Sequence, residues 1–555
     1  MNGIEAFLEV LAAHRVRYIF GNPGSTELPL NEALVGDRRF QYILGLHEVA
    51  LVSMADGYSM ASGDVGVACV HICCGLGNSM GMLYNAWCEG SPVLLVAGQQ
   101  DRRLRFGEPV LAGDMVSVAQ PWTKWAYEVQ NVADVPAAVR RAVQMALTPP
   151  TGPVFLSLPV DLQREDVGAA DLSAPRLPDA RVRPALDALR RAADLLAAAR
   201  APAILAGGRA AESGAAEELQ RLAEALGAPV LTESTASQGR RPMSASHALY
   251  AGPVSMWTPE IHERLAAFDV VLAVGADLFR LYIHRQPEHP LPRGLRLIHL
   301  DSTAQAIGRT YPVELGLVGD PRAGLAELVP LVVAAQTPEQ RAAAAARVVA
   351  HAAHQRAAQE AFRAELEAQA HQRPMALPTF VQALCRGLPA DAAVVEESVT
   401  THHSLLERLG VPRDPAACFA HRGWALGWGL GCALGVKLAW PERPTVALLG
   451  DGSALFGIQG LWSAAHYRIP VAFVIADNAQ YGILKMGGRV MGLPRMSAGE
   501  HVGIDLVDPE VDFVSVATGF GVPAARVREP DDLCQRLRAA LEGDGPVLLD
   551  VAIER

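Results

Sequence analysis

Short runs of branched apolar residues alternate along the chain with longer segments in which Ala, Leu and Arg recur at helical spacing. Near the N-terminus, the apolar runs that lead into a polar loop or a helix are VGVACV, SPVLLVAG and GPVFLSLP. Strands that alternate with amphipathic helices in this way are typical of parallel α/β units. The pattern recurs in three blocks and therefore predicts an α/β fold of three doubly wound, parallel-sheet domains.

Changes in composition separate the three blocks. The first is predicted to span residues 1–172, and the Pro-rich segment after it, SAPRLPDARVRP, is typical of a linker. The second spans residues 184–335, with strands at APAILAGG, APVLTE, DVVLAVGA and GLRLIHLD. Residues 337–372 have helical composition without a strong apolar stripe, so we expect a helix that crosses the surface between domains. The third block spans residues 374–555, with strands at AAVVEES, PTVALLGDG, VAFVIADN and GPVLLDVAI.

The composition narrows the class of protein. The chain has 555 residues, of which 50% are hydrophobic and 19% are charged, and this length is too great for one hydrophobic core. The formal charge is −11 and no dense run of Lys and Arg occurs, which argues against nucleic-acid binding. We therefore expect a multi-domain protein that binds no nucleic acid.

The cysteines and the apolar segments indicate the compartment. The 8 cysteines include no C-x-x-C pair, so we expect buried free thiols rather than a zinc ribbon or a secreted disulfide framework. Glu5 and Glu9 interrupt the N-terminal segment, which is therefore expected to be a first helix and not a secretory signal. In residues 423–440 the uninterrupted apolar part is shorter than the roughly 20 residues that a membrane span needs. We expect a buried helix there and a cytoplasmic protein with no membrane segment.

The strongest chemical signal is the motif G-D-G-S at residues 450–453, directly after the apolar run TVALLG. The next run, VAFVIADN, ends at Asn478. Because ligands of doubly wound sheets bind at the carboxyl ends of strands, Asp451 and Asn478 are expected to face one site. A carboxylate, an amide oxygen and the backbone carbonyl of Gln480 suit a hard cation such as Mg²⁺. A lone G-D-G is only a tight turn, but the two motifs together at this spacing are much more specific.

This spacing resembles the diphosphate-binding motif of the thiamin diphosphate enzymes. The first block supplies a matching segment, LHEVALVSMADGYSMASG, in which Glu48 takes the position of the family's catalytic glutamate. In that family the glutamate hydrogen-bonds the pyrimidine ring of the cofactor and acts as the general acid/base of its activation. The resemblance implies thiamin diphosphate and Mg²⁺ as cofactors. It also implies that the blocks are pyrimidine-binding, middle and diphosphate-binding domains, in that order.

The same resemblance implies further contacts with the cofactor. Leu426, in WALGWGL, falls where the family keeps a bulky apolar residue under the cofactor, and Thr400, in EESVTTHH, falls on a diphosphate contact. Glycines beside Asp451 would let the backbone approach the phosphates, and Ser453 could donate a hydrogen bond to them. The implied cofactor-binding residues are Glu48, Thr400, Leu426, Gly450, Asp451, Gly452, Ser453, Asn478, Gln480 and Tyr481, with Asp451, Asn478 and Gln480 as metal ligands. The middle block lacks G-x-G-x-x-G, so no flavin is expected there.

Within this superfamily the closest resemblance is to the benzoylformate decarboxylases. It is carried by FGNPGSTELPL, VHICCGLGNSMG, SPVLLVAGQQDRR and GDGSALFGIQGLWSAAHYRIPVAFVIADNAQYGILK, which lie in the first and third blocks. Taken alone, Ser25 is a turn or N-cap residue and His71 a core histidine. The resemblance places Ser25 on the serine that contacts the substrate carboxylate and His71 on an active-site histidine. The implied catalytic residues are Glu48, His71 and Ser25, and the implied substrate pocket is Ser25, His71, Leu111, Ile483 and Gly487.

The sequence departs from the decarboxylase pattern in the substrate pocket. Where that family has a second active-site histidine, the stretch ADLFRLYIHRQPE offers Tyr282 or His284. Gly487 stands where an aromatic residue lines the family's pocket, and Ile483 stands where a small residue does. These changes remove one wall and narrow another, so we expect an aliphatic or differently shaped 2-oxo acid to be preferred over benzoylformate.

The implied reaction is the non-oxidative decarboxylation of a small-molecule 2-oxo acid to an aldehyde. The alternative is a carboligase or lyase of the acetolactate synthase or aldehyde lyase type, which forms or cleaves 2-hydroxyketones. A thiamin-binding regulatory subunit is a further alternative, which the presence of Glu48, Asp451 and Asn478 argues against. Because the superfamily's active sites lie between two chains, a homodimer or homotetramer is expected.

Overall fold

The computed structural model of the protein describes residues 1–234, 239–286, 289–399, 403–411 and 413–555. Each predicted block contains one six-stranded sheet in which the paired strands run parallel. The three doubly wound domains predicted from the sequence are therefore confirmed. Within the described residues, no helix is both long and apolar enough to span a membrane.

The first sheet has the strand order β2-β1-β3-β4-β6-β5. Its strands are β1 (Tyr18–Gly21), β2 (Gln41–Leu44), β3 (Gly66–Val70), β4 (Val93–Gln99), β5 (Trp125–Glu128) and β6 (Val154–Pro159). The helices around it are α1 (Gly3–Ala13), α2 (Leu28–Ala33), α3 (Glu48–Ser62), α4 (Ile72–Glu89), α5 (Met115–Ala119), α6 (Val135–Leu147) and α7 (Val160–Arg164). The N-terminal segment is a capped helix, as expected, because the Asn2 side chain accepts a hydrogen bond from Glu5 N.

The second sheet has the order β12-β11-β10-β7-β8-β9, which is that of dinucleotide-binding folds. Its strands are β7 (Pro202–Ala206), β8 (Val230–Thr232), β9 (Tyr250–Pro253), β10 (Val270–Val274), β11 (Arg296–Asp301) and β12 (Leu315–Val318). Its helices are α8 (Leu186–Ala197), α9 (Gly208–Glu212), α10 (Ala216–Leu226), α11 (Thr258–Leu265) and α12 (Pro321–Ala335). The predicted surface helix follows as α13 (Pro338–Gln369), with a capping box at Thr337.

The third sheet has the order β14-β13-β15-β16-β18-β17, which repeats the order of the first sheet. Its strands are β13 (Ala393–Glu397), β14 (Cys418–Phe419), β15 (Thr445–Gly450), β16 (Ala472–Asp477), β17 (Ala524–Val527) and β18 (Val547–Ala552). Its helices are α14 (Leu377–Gly387), α15 (His403–Arg408), α16 (Trp428–Ala439), α17 (Asp451–Gly457), α18 (Gly460–His466), α19 (Gly482–Val490), α20 (Pro494–Ser497), α21 (Phe513–Gly519) and α22 (Pro530–Glu542).

Helices α3 and α16 join the first and third domains through one shared hydrophobic core. The helices approach so closely that a Cβ on Gly435 would lie 2.0 Å from the Met54 carbonyl oxygen, so only glycine fits there. The indole Nε1 of Trp428 donates to the carboxylate of Asp56 at 2.7 Å across this contact. The buried apolar helix expected within residues 423–440 is therefore α16, and it serves as the inter-domain contact.

The cysteines are free thiols, as expected, but they are not all buried. Cys69, Cys418, Cys432 and Cys534 lie in the core, whereas Cys74 is exposed. Cys74 lies in the first turn of α4, where its side chain points away from the sheet-facing side of the helix. The expectation of uniformly buried thiols was therefore wrong for this residue.

Candidate active site

The G-D-G-S motif lies where β15 ends and α17 begins. Gly450 is the N-cap of α17, and Asp451 is the first helical residue. One carboxylate oxygen of Asp451 accepts from Gly452 N at 2.7 Å and the other from Gln480 N at 3.3 Å. Asn478 directly follows the neighbouring strand β16, and its Oδ1 also accepts from Gln480 N, at 3.2 Å. The two strand ends are thus brought together, as the sequence predicted.

A cavity of 140 Å³ opens at this edge of the third sheet. Most of the residues that the sequence assigned to the cofactor line it. These residues are Leu426, Gly450, Asp451, Gly452, Ser453, Asn478, Gln480 and Tyr481, and Ile483 of the predicted substrate pocket lines the cavity with them. The remaining lining residues are Tyr282, Ser398, Val399, Trp424, Ala476 and Gly482.

The oxygen atoms at this cavity fit a hard divalent cation. Burial raises the pKa of Asp451 to about 7, and the neighbouring Asp477 contributes in the same direction. A bound cation would lower this pKa again, because a nearby positive charge favours the ionised carboxylate. Within the described residues no group of three or more His, Cys, Asp and Glu side chains is arranged to hold a metal ion. The donors at this cavity are one carboxylate with amide and carbonyl oxygens. That donor set suits Mg²⁺ rather than zinc.

The loop that follows β16 is held from two sides. Arg555 donates to the carbonyl oxygens of Asn478 and Ala479 at 3.3 and 3.2 Å. Lys485 Nζ donates to the side-chain oxygen of Gln480 at 2.6 Å. Ala479 has a φ of 51°, in the left-handed region that is costly for a residue with a Cβ. The surrounding contacts therefore fix a strained loop that presents its oxygens to the cavity.

Two predicted diphosphate contacts need qualification. The Ser453 hydroxyl donates to the carbonyl oxygens of Glu397 at 2.7 Å and Gly450 at 3.0 Å. Its proton is thus directed at backbone oxygens, and the contact of this hydroxyl with a diphosphate stays a prediction. Thr400 lies outside the described residues. Val399, which precedes it, lines the cavity with a φ of 47°.

The structure distinguishes the two candidates for the second polar position of the substrate pocket. Tyr282 lines the cavity and packs between two tryptophans, with ring centroids 6.0 Å from Trp257 and 5.6 Å from Trp424. Both side chains are exposed in the chain, but His284 does not line the cavity. Of the two, Tyr282 is therefore the side chain that lies at the cavity.

Gly487 does not line this cavity, unlike its neighbour Ile483. It is buried in α19, and a Cβ there would lie 3.6 Å from the Ile283 side chain. On a helix, residues 483 and 487 share a face, so both lie on the same side of α19. That Gly487 opens the substrate pocket therefore stays a prediction.

Glu48 lies at the carboxyl edge of the first sheet. It is the first residue of α3 and is 7% exposed. The Asn78 side chain donates to Glu48 Oε2 at 3.0 Å, and a Cβ on Gly75 would lie 3.1 Å from Glu48 Oε1. The glycine thus lets the Glu48 carboxylate lie close against α4.

His71 and Ser25 lie at the same edge of the first sheet, after β3 and β1. His71 is the N-cap of α4, and its Nδ1 lies 2.8 Å from Glu27 Oε2. Ser25 is exposed in the turn between β1 and α2. Leu111, the third predicted pocket residue of this domain, is exposed with a φ of 64°, and its carbonyl accepts from the Cys73 thiol at 3.1 Å. The loops after three strands therefore gather these residues on one side of the sheet.

Glu27 is the residue that sequence reasoning missed. It is 4% exposed and accepts from Gly24 N, the Thr26 hydroxyl and Gly98 N at 2.9, 2.9 and 2.8 Å. Because this carboxylate only accepts, His71 Nδ1 carries the proton and donates to it. The available signal was an acidic residue two positions after Ser25 in an otherwise uncharged loop.

The two groups of residues form separate half-sites within one chain. The cavity that contains Asp451 is lined by residues of the second and third domains, and no described residue of the first domain lines it. Glu48 accepts a hydrogen bond from Asn78 and lies against Gly75, and both of these residues are in the first domain. Glu48 and Asp451 therefore belong to different half-sites of the chain.

Three parallel-sheet domains with two half-sites define a thiamin diphosphate enzyme, and comparison with known protein families shows that the chain is one. Models of the thiamine pyrophosphate enzyme family match the chain in three places: the N-terminal TPP binding domain at residues 1–114, the central domain at residues 189–328 and the C-terminal TPP binding domain at residues 399–551. The chain belongs to the thiamine pyrophosphate enzyme family.

Within that family, the chain is similar to both decarboxylases and carboligases. It is 35% identical to the benzoylformate decarboxylase of Pseudomonas aeruginosa over 98% of both chains. It is 28% identical to a probable acetolactate synthase large subunit of Methanocaldococcus jannaschii, over 100% of this chain and 92% of that one.

Solved structures show the same likeness. The structure of benzoylformate decarboxylase from Polynucleobacter necessarius superposes with a TM-score of 0.87 at 27% identity, over 100% of this chain and 99% of that one. A thiamine diphosphate-dependent 4-hydroxybenzoylformate decarboxylase from Rhodococcus jostii superposes with a TM-score of 0.83 at 30% identity, over the same shares.

Proposed function

We propose that the protein catalyses the thiamin diphosphate- and Mg²⁺-dependent, non-oxidative decarboxylation of a 2-oxo acid to an aldehyde. The observation that carries the proposal is the pair of half-sites, one with a buried Glu48 and the other with the oxygen atoms of Asp451, Asn478 and Gln480. The 35% identity to a benzoylformate decarboxylase over almost the whole chain supports the choice of reaction.

The third domain would hold the diphosphate end of the cofactor. Asp451 Oδ, Asn478 Oδ1 and the Gln480 carbonyl would bind Mg²⁺, and Leu426 would support the cofactor from below. When bound, thiamin diphosphate supplies a nucleophilic carbon and an acceptor for the electrons released by decarboxylation. The protein's own task at this end is to bind and orient.

The first domain would supply the groups that move protons. Glu48 would hold a proton at the pyrimidine end of the cofactor, with Asn78 fixing one of its oxygens. Ser25 would hold the substrate carboxylate. His71 has Nδ1 engaged by Glu27, so Nε2 is the ring atom left to exchange a proton with the substrate.

Because the half-sites lie apart within one chain, the complete site is proposed to form between two chains. Glu48 of one copy would then face the Asp451 cavity of another, and a homodimer would be the smallest active unit, with a homotetramer as the further expectation. The free thiols support the proposal of a reducing, cytoplasmic setting.

Metal-dependent cofactor binding tests the site. Thiamin diphosphate with Mg²⁺ should raise the melting temperature of the purified protein, because a ligand that binds only the folded state stabilises it. Asp451→Ala should abolish this shift. An Asp451→Ala protein that keeps the same shift with the same metal dependence would show that the metal site lies elsewhere.

Product analysis tests the reaction. A panel of aromatic and aliphatic 2-oxo acids, supplied singly with thiamin diphosphate and Mg²⁺, should yield aldehydes and carbon dioxide. No turnover of any 2-oxo acid by the cofactor-loaded protein would overturn the proposal.

A carboligase is the second candidate, because relatives of that kind also align along the whole chain. These include the acetolactate synthase large subunit of Escherichia coli at 26% identity and a glyoxylate carboligase at 27%. A 2-hydroxyketone as the main product, formed from one acid or after addition of a second carbonyl compound, would favour this candidate over simple decarboxylation.

A further inference from the structure

A large cavity of the described structure lies away from both half-sites. It has a volume of 610 Å³ and lies between the β9–α11 region of the middle domain, the long helix α13 and the end of α15. It shares no lining residue with the Asp451 cavity. Pockets of about 300–1,000 Å³ are the size that small-molecule ligands occupy in proteins.

The walls of this cavity are mostly apolar, and contacts between elements hold them in place. Leu249, Phe268 and Phe362 are among the lining residues. Helix α13 is tied to the middle domain, because Arg347 donates to the Leu226 carbonyl oxygen at 2.6 Å. The side chain of Gln355, itself a lining residue, donates to the Tyr250 carbonyl oxygen. Because these hydrogen bonds hold α13 against the middle domain, the wall that α13 forms cannot collapse into the cavity.

Four basic side chains line the cavity, and of the two arginines among them Arg264 has no acidic partner within the described residues. Arg264 donates to the Ala251 carbonyl oxygen at 2.6 Å and forms no ion pair within the described residues. Arg408 lies 3.6 Å from the Phe362 ring centroid and pairs with Glu365 at 3.3 Å. His351 and His354 also line the cavity, and burial lowers the pKa of His351.

The lining also contains one acid, Glu407, which pairs with the buried Arg241 at 3.5 Å. The charges of Glu407 and Arg408 are thus balanced by partners outside the cavity. Among the described lining residues, the guanidinium of Arg264, which is exposed at the cavity, is the one permanent charge without an acidic partner. A ligand that complements the cavity therefore has one negative charge and an apolar body.

We propose that this cavity is a second small-molecule site that binds an aromatic monocarboxylate. The ring would pack between Phe268 and Phe362, and the carboxylate would pair with Arg264, whose planar guanidinium suits a carboxylate. The inference concerns binding alone and does not depend on the reaction catalysed at the other site.

Calorimetric titration of the full chain, loaded with thiamin diphosphate and Mg²⁺, tests the proposal with phenylacetate as the probe. Phenylacetate lacks the 2-oxo group, so it is not a substrate for decarboxylation. The expected result is one binding event per chain, at least about tenfold tighter than that of the uncharged 2-phenylethanol. No binding of phenylacetate at millimolar concentration would overturn the proposal.

Variants locate the ligand. Arg264→Gln should weaken phenylacetate binding about tenfold or more, whereas the matched control Arg293→Gln, on an exposed arginine of the same domain, should not change it. Ala248→Phe, which fills the cavity without changing its charge, should abolish binding. Should Ala248→Phe fail to fold, the comparison of the two arginine variants still decides.

A variant of the other site completes the test. Ser25→Ala should leave phenylacetate binding unchanged, since Ser25 lies in the first domain. Binding that is lost in Ser25→Ala but kept in Arg264→Gln would place the ligand at the proposed active site, and the inference would then be wrong.

Discussion

Backbone strain at single residues recurs at both half-sites, although it is not confined to them. Ile72, Leu111, Val399, Trp424 and Ala479 have a positive φ and adjoin or line a half-site, whereas other such residues, for example Arg15 and Arg468, lie elsewhere in the fold. Such conformations are costly and persist where surrounding contacts over-determine them. The sequence predicts which residues the half-sites contain, because motif spacing is local. It does not predict the strain, which depends on contacts such as those of Arg555 with the loop after β16.

The first prediction concerns Glu27. Glu27→Gln would place an amide where His71 Nδ1 now donates to a carboxylate, and so would favour the wrong imidazole tautomer. We expect kcat to fall by roughly 100-fold or more, with little change in the affinity for thiamin diphosphate. Steady-state kinetics and cofactor titration measure the two quantities separately.

A double variant provides the control for this prediction. If Glu27 acts only through His71, adding Glu27→Gln to His71→Ala should lower kcat no further. A large additional loss would show that Glu27 has an independent role, such as holding the loop at Gly24.

The second prediction concerns Ile483, which lines the cavity with Tyr282 and Leu426. Ile483→Ala removes a branched side chain and should make room for a phenyl ring, so the ratio of kcat/KM for benzoylformate to that for an aliphatic 2-oxo acid should rise. A few misplaced methylene-sized contacts correspond to roughly 10–200-fold in specificity. A clear benzoylformate preference in the unmodified enzyme, unaltered in Ile483→Ala, would contradict the pocket argument.

At the scale of elements, the sequence predicts central strands better than edge strands. The long apolar runs became β3, β4, β6, β7, β10, β15, β16 and β18, which are buried on both faces. The edge strands β5 and β17 were missed, because their residues are mostly half-buried and their runs are short and mixed in polarity. The crossing of α3 and α16 also depends on glycines whose function is visible only when the partner helix is in place.

The third prediction tests that helix crossing. Asp56 is 1% exposed, and burial raises its pKa from 3.8 to about 6 although Trp428 donates to it. Between these two pH values the folded state binds the proton more tightly than the unfolded chain, so the free energy of unfolding falls as the pH rises. The loss contributed by Asp56 is on the order of 3 kcal/mol. Asp56→Asn removes this dependence, so its stability relative to the unmodified protein should rise from pH 4 to pH 7, as measured by urea denaturation.

Asp64 serves as a control of opposite sign. Burial would raise its pKa, but hydrogen bonds from His14 and from Val65 N lower it overall. A lowered carboxyl pKa contributes stability that is present above the unfolded pKa and lost as the pH falls through the folded pKa. Asp64→Asn should therefore be destabilised at pH 7 and approach the unmodified protein in acid. The same trend in both variants would refute the assignment for Asp56.

At the scale of the molecule, the separation of Glu48 from the Asp451 cavity is the feature that neither propensity nor motif spacing could predict. The sequence places both residues at carboxyl ends of strands, and the structure confirms that placement. Whether the Glu48 half-site of one chain meets the Asp451 half-site of another depends on how two chains pair. The resemblance to the thiamin diphosphate enzymes suggested a site between chains, and this stays a proposal; no described residue of the first domain lines the Asp451 cavity.

The fourth prediction is that two inactive variants complement each other. Glu48→Gln and Asp451→Ala homodimers each lack one half-site in every active site. A mixed dimer would contain one intact site, so random pairing should restore about a quarter of the activity of the unmodified enzyme. Mixing after reversible dissociation, or co-expression with two tags, would measure this. No recovery in verified mixed dimers would show that each chain builds its own site.

The division of the site has a consequence for how the activity is controlled in time. A newly made chain would carry both halves of the machinery and yet be silent, because neither half can act until a second copy docks. Turnover per chain would then depend on abundance, falling away on dilution below the dissociation constant of the pair and rising steeply as copies accumulate. The amount of protein made would act as a threshold switch, without any separate regulator.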